Sequence, residues 1–464
     1  MSSLTLDYTN CLASSIGATH GLTDPELDTL VAKIPKHHDN IVQWRDAKEC
    51  AWFDLPGQDL GAIKQIIDQH DHGRWQDVVL VGIGGAVSTP RCILETLSPV
   101  HGATTVGTHA RPRIVSIENI DPLEVSETLA AIDAKKTLFV IVSRNGHSAE
   151  VNALLLYLSA WLKRKSGRHA IAEQMLVCTN PDGSPLGHWA AREKATVVPV
   201  QDNLCDSYSV YGNPTLLTLA LGGIAIDKFL AGAQAMQERC WQGDARTNPA
   251  YMHAAIHYLL TRKRRKTIHA TVGFSRRLQG VIAWYDHLLA VSLGKMLNRK
   301  GKAVHVGPAP ASCIGPGSLH GHLQLYAEGP FDKVTTFLTV QHHGERISIP
   351  KSSSKDDAIA FCGGHDLADL VHHCYLCAAG DITGSGRPNM TIQLADVSPE
   401  SIGGLCYILQ LSTVMSAELY GIDPFNQPGI ELNQQALYGL MGRKGFEDKA
   451  AALHRFSAGD KKTC

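Results

Sequence analysis

Short apolar runs rich in β-branched residues alternate along this chain with segments long enough to form helices. Five such runs lie in the first half of the chain and begin at Val78, Arg113, Thr137, Met175 and Thr196. Four lie in the second half and begin at Thr267, Lys302, Val334 and Met390. Strands that alternate with helices require crossover connections, which produce parallel sheets with helices on both faces. The sequence therefore predicts an α/β fold with two doubly wound parallel sheets.

The two groups of strands divide the chain into four predicted parts. Residues 1–70 contain charged, helix-compatible segments and predict a helical lead-in. The two doubly wound domains are predicted at residues 71–230 and 231–430. A C-terminal helix with a frayed tail is predicted at residues 431–464. The segment Gly307–Ser318 is rich in Pro and Gly, and we predict an irregular loop there.

The charge balance and the cysteine pattern limit the classes of partner. The chain has 43 Lys and Arg against 44 Asp and Glu, so it has no overall field that attracts nucleic acid or an anionic membrane. Its start lacks a signal-peptide pattern, and no run of about 18 uncharged apolar residues occurs. Twelve Cys are scattered singly, which suits a reducing compartment. We expect a cytoplasmic protein without nucleic-acid or membrane partners.

One group of residues has the composition of a metal site. His372, His373, Cys374 and Cys377 combine two imidazoles with a Cys-x-x-Cys pair. However, the segment has a helical pattern, and no second ligand pair is near in sequence. Free Cys also packs in helices as a small hydrophobic residue. We therefore predict ordinary helix packing and no metal ion.

The segment Val81–Arg91 leads from a strand through Gly82, Gly84 and Gly85 into a predicted helix. Glycines allow backbone N–H groups to approach an oxyanion at a helix N-terminus, which carries about half a positive charge. A tight connection between strand and helix is the alternative. A dinucleotide-binding turn would need a third glycine where Val87 stands. The pattern therefore argues against a nicotinamide cofactor.

A second set of donor groups follows the strand that begins at Thr137. We call residues Ser143–Ser148 the donor loop, since it supplies hydroxyl, guanidinium and amide groups from Ser143, Arg144, Asn145 and Ser148. Such a loop can hold a phosphate by several short hydrogen bonds. A solvated turn with a Ser or Asn helix cap is the alternative. Ligands of open α/β sheets bind beyond the carboxyl ends of strands, so two such loops in one half favour anion binding.

Both loops and three later segments resemble the glucose-6-phosphate isomerase family, a tandem of two sugar isomerase (SIS) domains. The glycine turn is similar to the family's first signature, and the donor loop is similar to its phosphate loop. The later segments resemble further family signatures in the right order, and they are Leu288–Lys295, Ser318–Pro330 and Phe425–Glu431. The resemblance extends over most of the chain and implies two SIS-type domains.

The resemblance also implies a reaction, which is the interconversion of glucose 6-phosphate and fructose 6-phosphate. It implies no metal or organic cofactor, and a homodimer with active sites near the subunit interface. In the family a histidine assists ring opening, and His320 matches it, four residues before Gln324. The residues that the resemblance places around the phosphate are Gly84, Gly85, Ser143, Arg144, Asn145, Ser148 and Gln427.

Three family side chains are replaced in this sequence. Val291 stands in place of the glutamate that moves the proton between C1 and C2, Ser207 replaces an arginine, and Gln434 replaces a lysine. A general base contributes about 10² to 10⁴ in rate, and an oxyanion-stabilising donor about 10² to 10³. His287 precedes Val291 by one helical turn, and we hypothesise that it moves the proton instead, aided by Asp286. An imidazole that only lines the site is the alternative.

Two further functions remain open beside a glucose-6-phosphate isomerase. The first is a catalytically silent sugar-phosphate-binding protein, which the loss of all three side chains favours. The second is an isomerase of a sugar with a different anionic group. Ala86 in place of a family serine and Arg144 in place of a lysine would suit such a substrate.

Overall fold

The structure is a computed structural model, and it describes residues 4–70, 73–100, 111–242, 244–352 and 357–457. The chain divides into two compact units. The larger unit comprises the described residues of Met1–Gln69, Thr89–Arg111 and Ser207–Pro424. The smaller unit comprises the described residues of His70–Ser88, Pro112–Asp206 and Phe425–Cys464. Each unit contains its own mainly parallel sheet.

Strands and helices alternate through most of the chain. The strands of the described residues are β1 (Thr5–Asp7), β2 (Asp77–Val81), β3 (Arg113–Ile117), β4 (Thr137–Val142), β5 (Met175–Thr179), β6 (Thr196–Pro199), β7 (Ile268–Gly273), β8 (Lys295–Leu297), β9 (Ala303–Val306), β10 (Ala309–Ile314), β11 (Lys333–Val340) and β12 (Asn389–Leu394). The α-helices of the described residues are α1 (Ala13–Ile16), α2 (Asp24–Val31), α3 (Ile34–Asp46), α4 (Gly61–His70), α5 (Gly85–Leu97), α6 (Pro122–Ala130), α7 (Ala149–Ser166), α8 (Ala170–Gln174), α9 (Pro185–Glu193), α10 (Asn213–Leu221), α11 (Ile226–Cys240), α12 (Pro249–Arg264), α13 (Gln279–Leu293), α14 (Leu319–Glu328), α15 (Asp357–Ala360), α16 (Leu367–Gly384), α17 (Pro399–Tyr420), α18 (Pro428–Leu440) and α19 (Glu447–Ser457). This succession, with two mainly parallel sheets, confirms the predicted α/β class.

The smaller unit is built on five parallel strands in the order β3, β2, β4, β5, β6. Strands β2, β4 and β5 are buried along their whole length, which explains their unbroken apolar sequences. Val79 and Phe139 of the sheet share a core with Leu158 of α7. The strand order reverses between β2 and β4, because β3 lies on one side of β2 and β4 lies on the other. Ligands of open α/β sheets bind at such a switch point.

The larger unit has a sheet in the order β1, β12, β11, β7, β10. Strand β1 is antiparallel to β12, whereas the other four strands are parallel. The strand order reverses here as well, between β7 and β11. Helix α17 is long and apolar enough to cross a membrane, but its most apolar stretch of 18 residues is 94% buried in the structure. A helix that is apolar on all sides is buried in the core of many large proteins, and α17 fits that description.

Two segments of the larger unit differ from the sequence prediction. The Pro- and Gly-rich segment contains strand β10, although we predicted an irregular loop. Strand β10 lies at the sheet edge and pairs only with β7, and an edge strand tolerates a residue such as Pro310. The run predicted from Lys302 forms β9, which pairs with β8 in a separate antiparallel hairpin. The Asn298 side chain closes this hairpin by accepting the N–H groups of Lys300 and Lys302.

The N-terminal region belongs to the larger unit, and the C-terminal segment belongs to the smaller unit. The N-terminal region is mainly helical, and its strand β1 joins the sheet of the larger unit. The C-terminal segment holds two helices, α18 and α19, because Gly442 and Gly445 interrupt it with positive φ angles of 76° and 88°. The tail predicted to be frayed is residues 457–464; its first residue, Ser457, ends α19, and residues 458–464 lie outside the described residues.

The histidines and cysteines that resemble a metal site lie on helix α16, as the sequence predicted. His372 contacts Tyr375 of the same helix, with a distance of 5.8 Å between their ring centroids. In the part of the chain that the structure describes, no three His, Cys, Asp or Glu side chains are grouped so that they could hold a metal ion.

Helices α11 and α17 of the larger unit approach each other closely at two glycines. A Cβ at Gly232 would collide with the carbonyl oxygen of Glu400, and one at Gly403 would collide with that of Phe229. We therefore expect Gly403→Ala to lower the free energy of unfolding by about 1 to 3 kcal/mol through overpacking. Gly380→Ala on α16 is the control, since a Cβ there meets open space. Urea unfolding checks this, and equal stabilities of the two variants would contradict it.

Candidate active site

The two predicted anion-binding loops lie side by side at the switch point of the smaller unit. Strands β2 and β4 are paired up to Val81 and Ile141, so their carboxyl ends are neighbours. The chain that leaves β2 passes so close to β4 that a Cβ at Gly82 would lie 2.8 Å from the carbonyl oxygen of Val142. Only glycine allows this approach, so Gly82 lets the glycine turn lie against the start of the donor loop.

The glycine turn leads directly into helix α5. Gly84 has a φ of 62°, which favours glycine, and α5 begins at Gly85. The N–H groups of Val87 and Ser88 donate to the carbonyl oxygen of Gly84 and close the first turn. The earlier N–H groups of a helix have no intrahelical acceptor. The turn therefore offers an anion both N–H donors and the positive end of the helix dipole.

The backbone of the donor loop is held by hydrogen bonds to the end of β5. Ser143 is buried, and its N–H donates to the carbonyl oxygen of Cys178 at 3.0 Å. The carbonyl oxygen of Arg144 accepts the N–H of Asn180 at 2.8 Å and the hydroxyl of Thr179 at 3.0 Å. These bonds fix the first part of the loop in one conformation.

The Arg144 guanidinium has partners within the smaller unit. It donates to the carbonyl oxygen of Asp202, and its Nε lies 3.7 Å from the carboxylate of Asp206. Both side chains of the ion pair are partly exposed, by 31% and 39%, so solvent weakens their attraction. A phosphate with two negative charges would compete with Asp206 for this guanidinium.

Asn145 and Ser148 stabilise the turns of the donor loop itself. The side-chain oxygen of Asn145 accepts the N–H of His147 at 3.1 Å. Ser148 is the N-cap of α7, and its hydroxyl donates to Glu150 at 2.8 Å. The capping role that the sequence left as an alternative is therefore present. It also places the donor loop at the positive end of α7.

Gln427 lies in the smaller unit as the N-cap residue of α18. The thiol of Cys205 donates to the carbonyl oxygen of Phe425 at 3.0 Å, two residues before Gln427. Cys205 adjoins Asp206, which contacts Arg144. The smaller unit therefore contains every residue that the sequence places around the phosphate.

Helix α18 carries two further residues that concern the site. One is a replaced position, and the other contacts the donor loop. Gln434, in place of the family lysine, is half-buried. Tyr438 is buried, and its hydroxyl donates to the carbonyl oxygen of His147 at 2.7 Å. We did not predict the role of Tyr438 from the sequence, because a single tyrosine in a helix belongs to no motif.

Helix α13 carries His287 and Val291 in the larger unit. Both residues are half-buried and lie one turn apart, whereas Tyr285 and Leu289 on the opposite face are buried. The amino group of Lys295 donates to the carbonyl oxygen of Val291 at 2.7 Å. His287 and Val291 therefore lie on one face of α13.

Ser207, the second replaced position, is also tied to α13. It is 1% exposed, and its carbonyl oxygen accepts the indole N–H of Trp284 at 3.1 Å. A buried serine beside α13 provides no positive charge for an anionic intermediate. Two of the three replaced positions thus lie at one helix, and both are uncharged.

Asp286 has an altered acidity because of its surroundings. Burial raises its pKa to about 6, although a hydrogen bond from Ser312 lowers it in part. The Ser312 hydroxyl donates to Oδ1 of Asp286 at 2.7 Å. A carboxyl group with this pKa exchanges protons readily in the neutral range. We did not predict Ser312, since we expected its strand, β10, to be a loop.

His320 lies in the first turn of α14 and is exposed. Its N–H donates to the carbonyl oxygen of Pro316 at 3.1 Å, which fixes its backbone. His322 on the same helix is turned towards its own backbone, with Nδ1 2.9 Å from the carbonyl oxygen of Ser318. His320 and His287 belong to the larger unit, and the phosphate residues belong to the smaller unit.

Comparison with known proteins supports the resemblance. The family profile of phosphoglucose isomerase matches residues 61–438. The glucose-6-phosphate isomerase of Carboxydothermus hydrogenoformans is 32% identical over 396 residues, which cover 85% of each chain. That of Rubrobacter xylanophilus is 29% identical and covers 96% of this chain and 100% of its own.

A solved structure supports the fold. The crystal structure of a glucose-6-phosphate isomerase from Chlamydia trachomatis has a TM-score of 0.80 with this chain at 19% identity. The likeness covers 98% of this chain and 91% of that one. With a profile that spans most of its length and a relative that is 32% identical, the chain belongs to the phosphoglucose isomerase family.

Proposed function

We propose that this protein catalyses the reversible isomerisation of glucose 6-phosphate to fructose 6-phosphate. The observation that carries the proposal is the pair of loops at the switch point of the smaller unit. The close approach at Gly82 joins them, and a cradle for an oxyanion results. Membership of the family, whose relatives are named for this reaction, supplies the choice of sugar.

The smaller unit would bind the phosphate end of the substrate. The N-terminal ends of α5 and α7 offer partial positive charge, and Arg144 offers a guanidinium that can grip two phosphate oxygens. Ser143, Asn145, Ser148 and Gln427 offer uncharged groups. The binding energy of the phosphate can be used to hold the sugar in position for proton transfer.

The proposed reaction also needs groups that act on the sugar ring and on C1 and C2. Ring opening needs a proton at the ring oxygen and removal of one from the C1 hydroxyl. Imidazole performs both steps near neutral pH, and we assign them to His320. Isomerisation then removes a proton from C2 and returns it to C1 through an enediolate. We assign this transfer to His287, with Asp286 beside it.

A second candidate function is binding of a hexose phosphate without turnover. The uncharged surroundings of α13 favour it, since Val291 provides no base and Ser207 provides no cation. A protein of this kind would sense the sugar phosphate or pair with an active relative. The phosphate cradle serves both candidates equally.

A coupled assay separates the two functions. Conversion of fructose 6-phosphate to glucose 6-phosphate is followed beside thermal-shift binding of both sugars and of 6-phosphogluconate. Turnover with saturation supports the isomerase. Stabilisation by the ligands without turnover supports the binding protein, and neither effect indicates a sugar with a different anion.

Replacement of His287 by Ala tests the assigned base. We expect the exchange of the C2 proton with solvent to slow by about 10²-fold, the lower end for a general base. His322→Ala is the matched control, because His322 is turned towards Ser318. Tritium exchange into the sugar measures both variants. Undiminished exchange in His287→Ala would remove the histidine from the mechanism.

We further propose that the protein is a cytoplasmic homodimer that needs no cofactor. The even balance of charges and the scattered cysteines support a cytoplasmic location, and the family resemblance supports a dimer without a cofactor. We also propose that residues 71–230 and 231–430 are the two SIS domains, between a lead-in at 1–70 and a C-terminal part at 431–464. Light scattering tests the dimer, and limited proteolysis tests the domain boundaries.

A further inference from the structure

Helix α18 starts beside a residue that the sequence places at the phosphate, and it contacts the donor loop near its other end. Its N-cap residue is Gln427, which the sequence places at the phosphate. Near its other end, Tyr438 donates a hydrogen bond of 2.7 Å to the carbonyl oxygen of His147 in the donor loop. Tyr438 is only 9% exposed, so its side of this part-buried bond has little access to water.

The part of the donor loop that Tyr438 contacts borders a cavity. The cavity has a volume of about 330 Å³ and lies between Gly146 and His147 on one side and Tyr438 and Arg443 on the other. Within this segment, the Asn145 side chain accepts the N–H of His147 at 3.1 Å, and the Asn152 amide donates to the carbonyl oxygen of Gly146 at 3.2 Å. The Tyr438 hydrogen bond adds a connection from a different part of the chain, helix α18.

Tyr438 itself is held in place by its neighbours. The Arg443 guanidinium lies over the Tyr438 ring at 4.5 Å, and the Phe446 ring lies edge-on at 5.1 Å. The next residue, Gly439, lies so close to α19 that a Cβ there would collide with the carbonyl oxygen of Phe446. The tyrosine hydroxyl is therefore presented to the loop from a fixed support.

We propose that Tyr438 is a positioning residue for the anionic end of the substrate. Its hydroxyl holds the second half of the donor loop, where Asn145 and Ser148 lie, in the conformation that receives the phosphate. Because Tyr438 and the N-cap residue Gln427 belong to the same helix, α18 fixes the position of the loop relative to Gln427. The proposal rests on the proposed function, because it assumes that the donor loop binds a sugar phosphate.

The test is Tyr438→Phe, which removes the hydroxyl and keeps the ring against Arg443. Tyr375→Phe is the matched control, since it removes a hydroxyl that hydrogen-bonds Thr391 at 2.8 Å in the larger unit. We expect Tyr438→Phe to raise KM for fructose 6-phosphate by about two- to tenfold, the range of one hydrogen bond, with kcat nearly unchanged. Tyr375→Phe should leave KM unchanged.

Two readouts without turnover separate this proposal from the proposed function. Hydrogen exchange of the amides at residues 145–148 should be faster in Tyr438→Phe than in the wild type and in Tyr375→Phe. The Kd of 6-phosphogluconate should rise by the same factor as KM. If the wild type shows no turnover, the proposed function fails, but these two measurements still decide the role of Tyr438. Unchanged exchange in the loop, or a fall in thermal stability with no change in Kd, would overturn it.

Discussion

A change from pH 7 to pH 5 is expected to lower the free energy of unfolding by several kcal/mol, because three histidines are buried together in the larger unit. His253 and His257 of α12 have ring centroids 4.4 Å apart, and His257 and His269 of β7 have theirs 4.1 Å apart. Each ring has one hydroxyl partner, at 2.8 Å from Ser412, 3.1 Å from Thr336 and 3.2 Å from Thr261, respectively. All three are buried.

Burial keeps these rings neutral in the folded protein. It lowers the pKa of His253 to about 4 and that of His269 to about 3, and it lowers the pKa of His257 as well. In the unfolded chain their pKa returns to about 6.5. Below pH 6.5 the unfolded state therefore binds protons that the folded state excludes. Stability is complete above that pH and falls as the pH drops towards the folded pKa values.

The size of the effect follows from the width of this interval. One pKa unit corresponds to about 1.4 kcal/mol, so His253 and His269 each contribute roughly 2 kcal/mol between pH 6.5 and pH 5. His257 adds to this loss, which approaches the lower end of the stability of a typical protein, about 5 to 15 kcal/mol. Urea unfolding at several pH values measures the loss. The loss of stability at low pH should be smaller in His257→Gln than in the wild type, because this variant lacks the central ring of the three.

The exposed His322 provides the control for this experiment. His322→Gln should retain the full pH dependence of the wild type, because His322 is exposed and does not belong to the buried group of histidines. Equal pH dependence in His257→Gln and His322→Gln would show that the buried histidines do not cause the loss. Tyr285, whose ring lies 6.4 Å from that of His253, stays uncharged throughout this range, because burial raises its pKa.

The fold could be predicted largely because buried parallel strands have a strong sequence pattern. The apolar runs from Val78 and Thr137 became β2 and β4, and the glycine turn and donor loop follow them as expected. Strand β10 could not be predicted, since Pro310 suggests a loop and is tolerated only because the strand lies at an edge. Whether a strand lies at an edge is decided by tertiary structure.

The candidate site could be predicted only where local sequence determines it. A strand that ends in glycines is a local signal, and so is the one-turn spacing of His287 and Val291. The contact of Tyr438 with the donor loop joins residues that are far apart in the chain. The same holds for Ser312 and Asp286. Such contacts depend on how helices and strands pack, and no spacing in the sequence indicates them.

In a His287→Ala background, replacement of Val291 by Glu is expected to raise kcat for the isomerisation by about 10² to 10⁴, the usual contribution of a general base. Val291 is half-buried on α13, so a longer side chain can extend from the helix without entering the core. Lys295 follows the end of α13 as the first residue of β8, and its amino group donates to the carbonyl oxygen of Val291 at 2.7 Å. A glutamate at position 291 would lie near this amino group, whose positive charge favours the ionised carboxylate.

Val291→Gln is the matched control for this gain, because glutamine has the size of glutamate without its basicity. We expect turnover to rise in Val291→Glu but not in Val291→Gln, and by the larger factor when each is compared in the His287→Ala background, which has lost its assigned base. Steady-state kinetics with fructose 6-phosphate measures all of these variants. Equal activity of Val291→Glu and Val291→Gln would mean that α13 does not approach the sugar at Val291. Ser207 and Gln434 still stand in place of the family's arginine and lysine in these variants. The gain in kcat therefore measures the contribution of the base separately from that of cations that stabilise the enediolate.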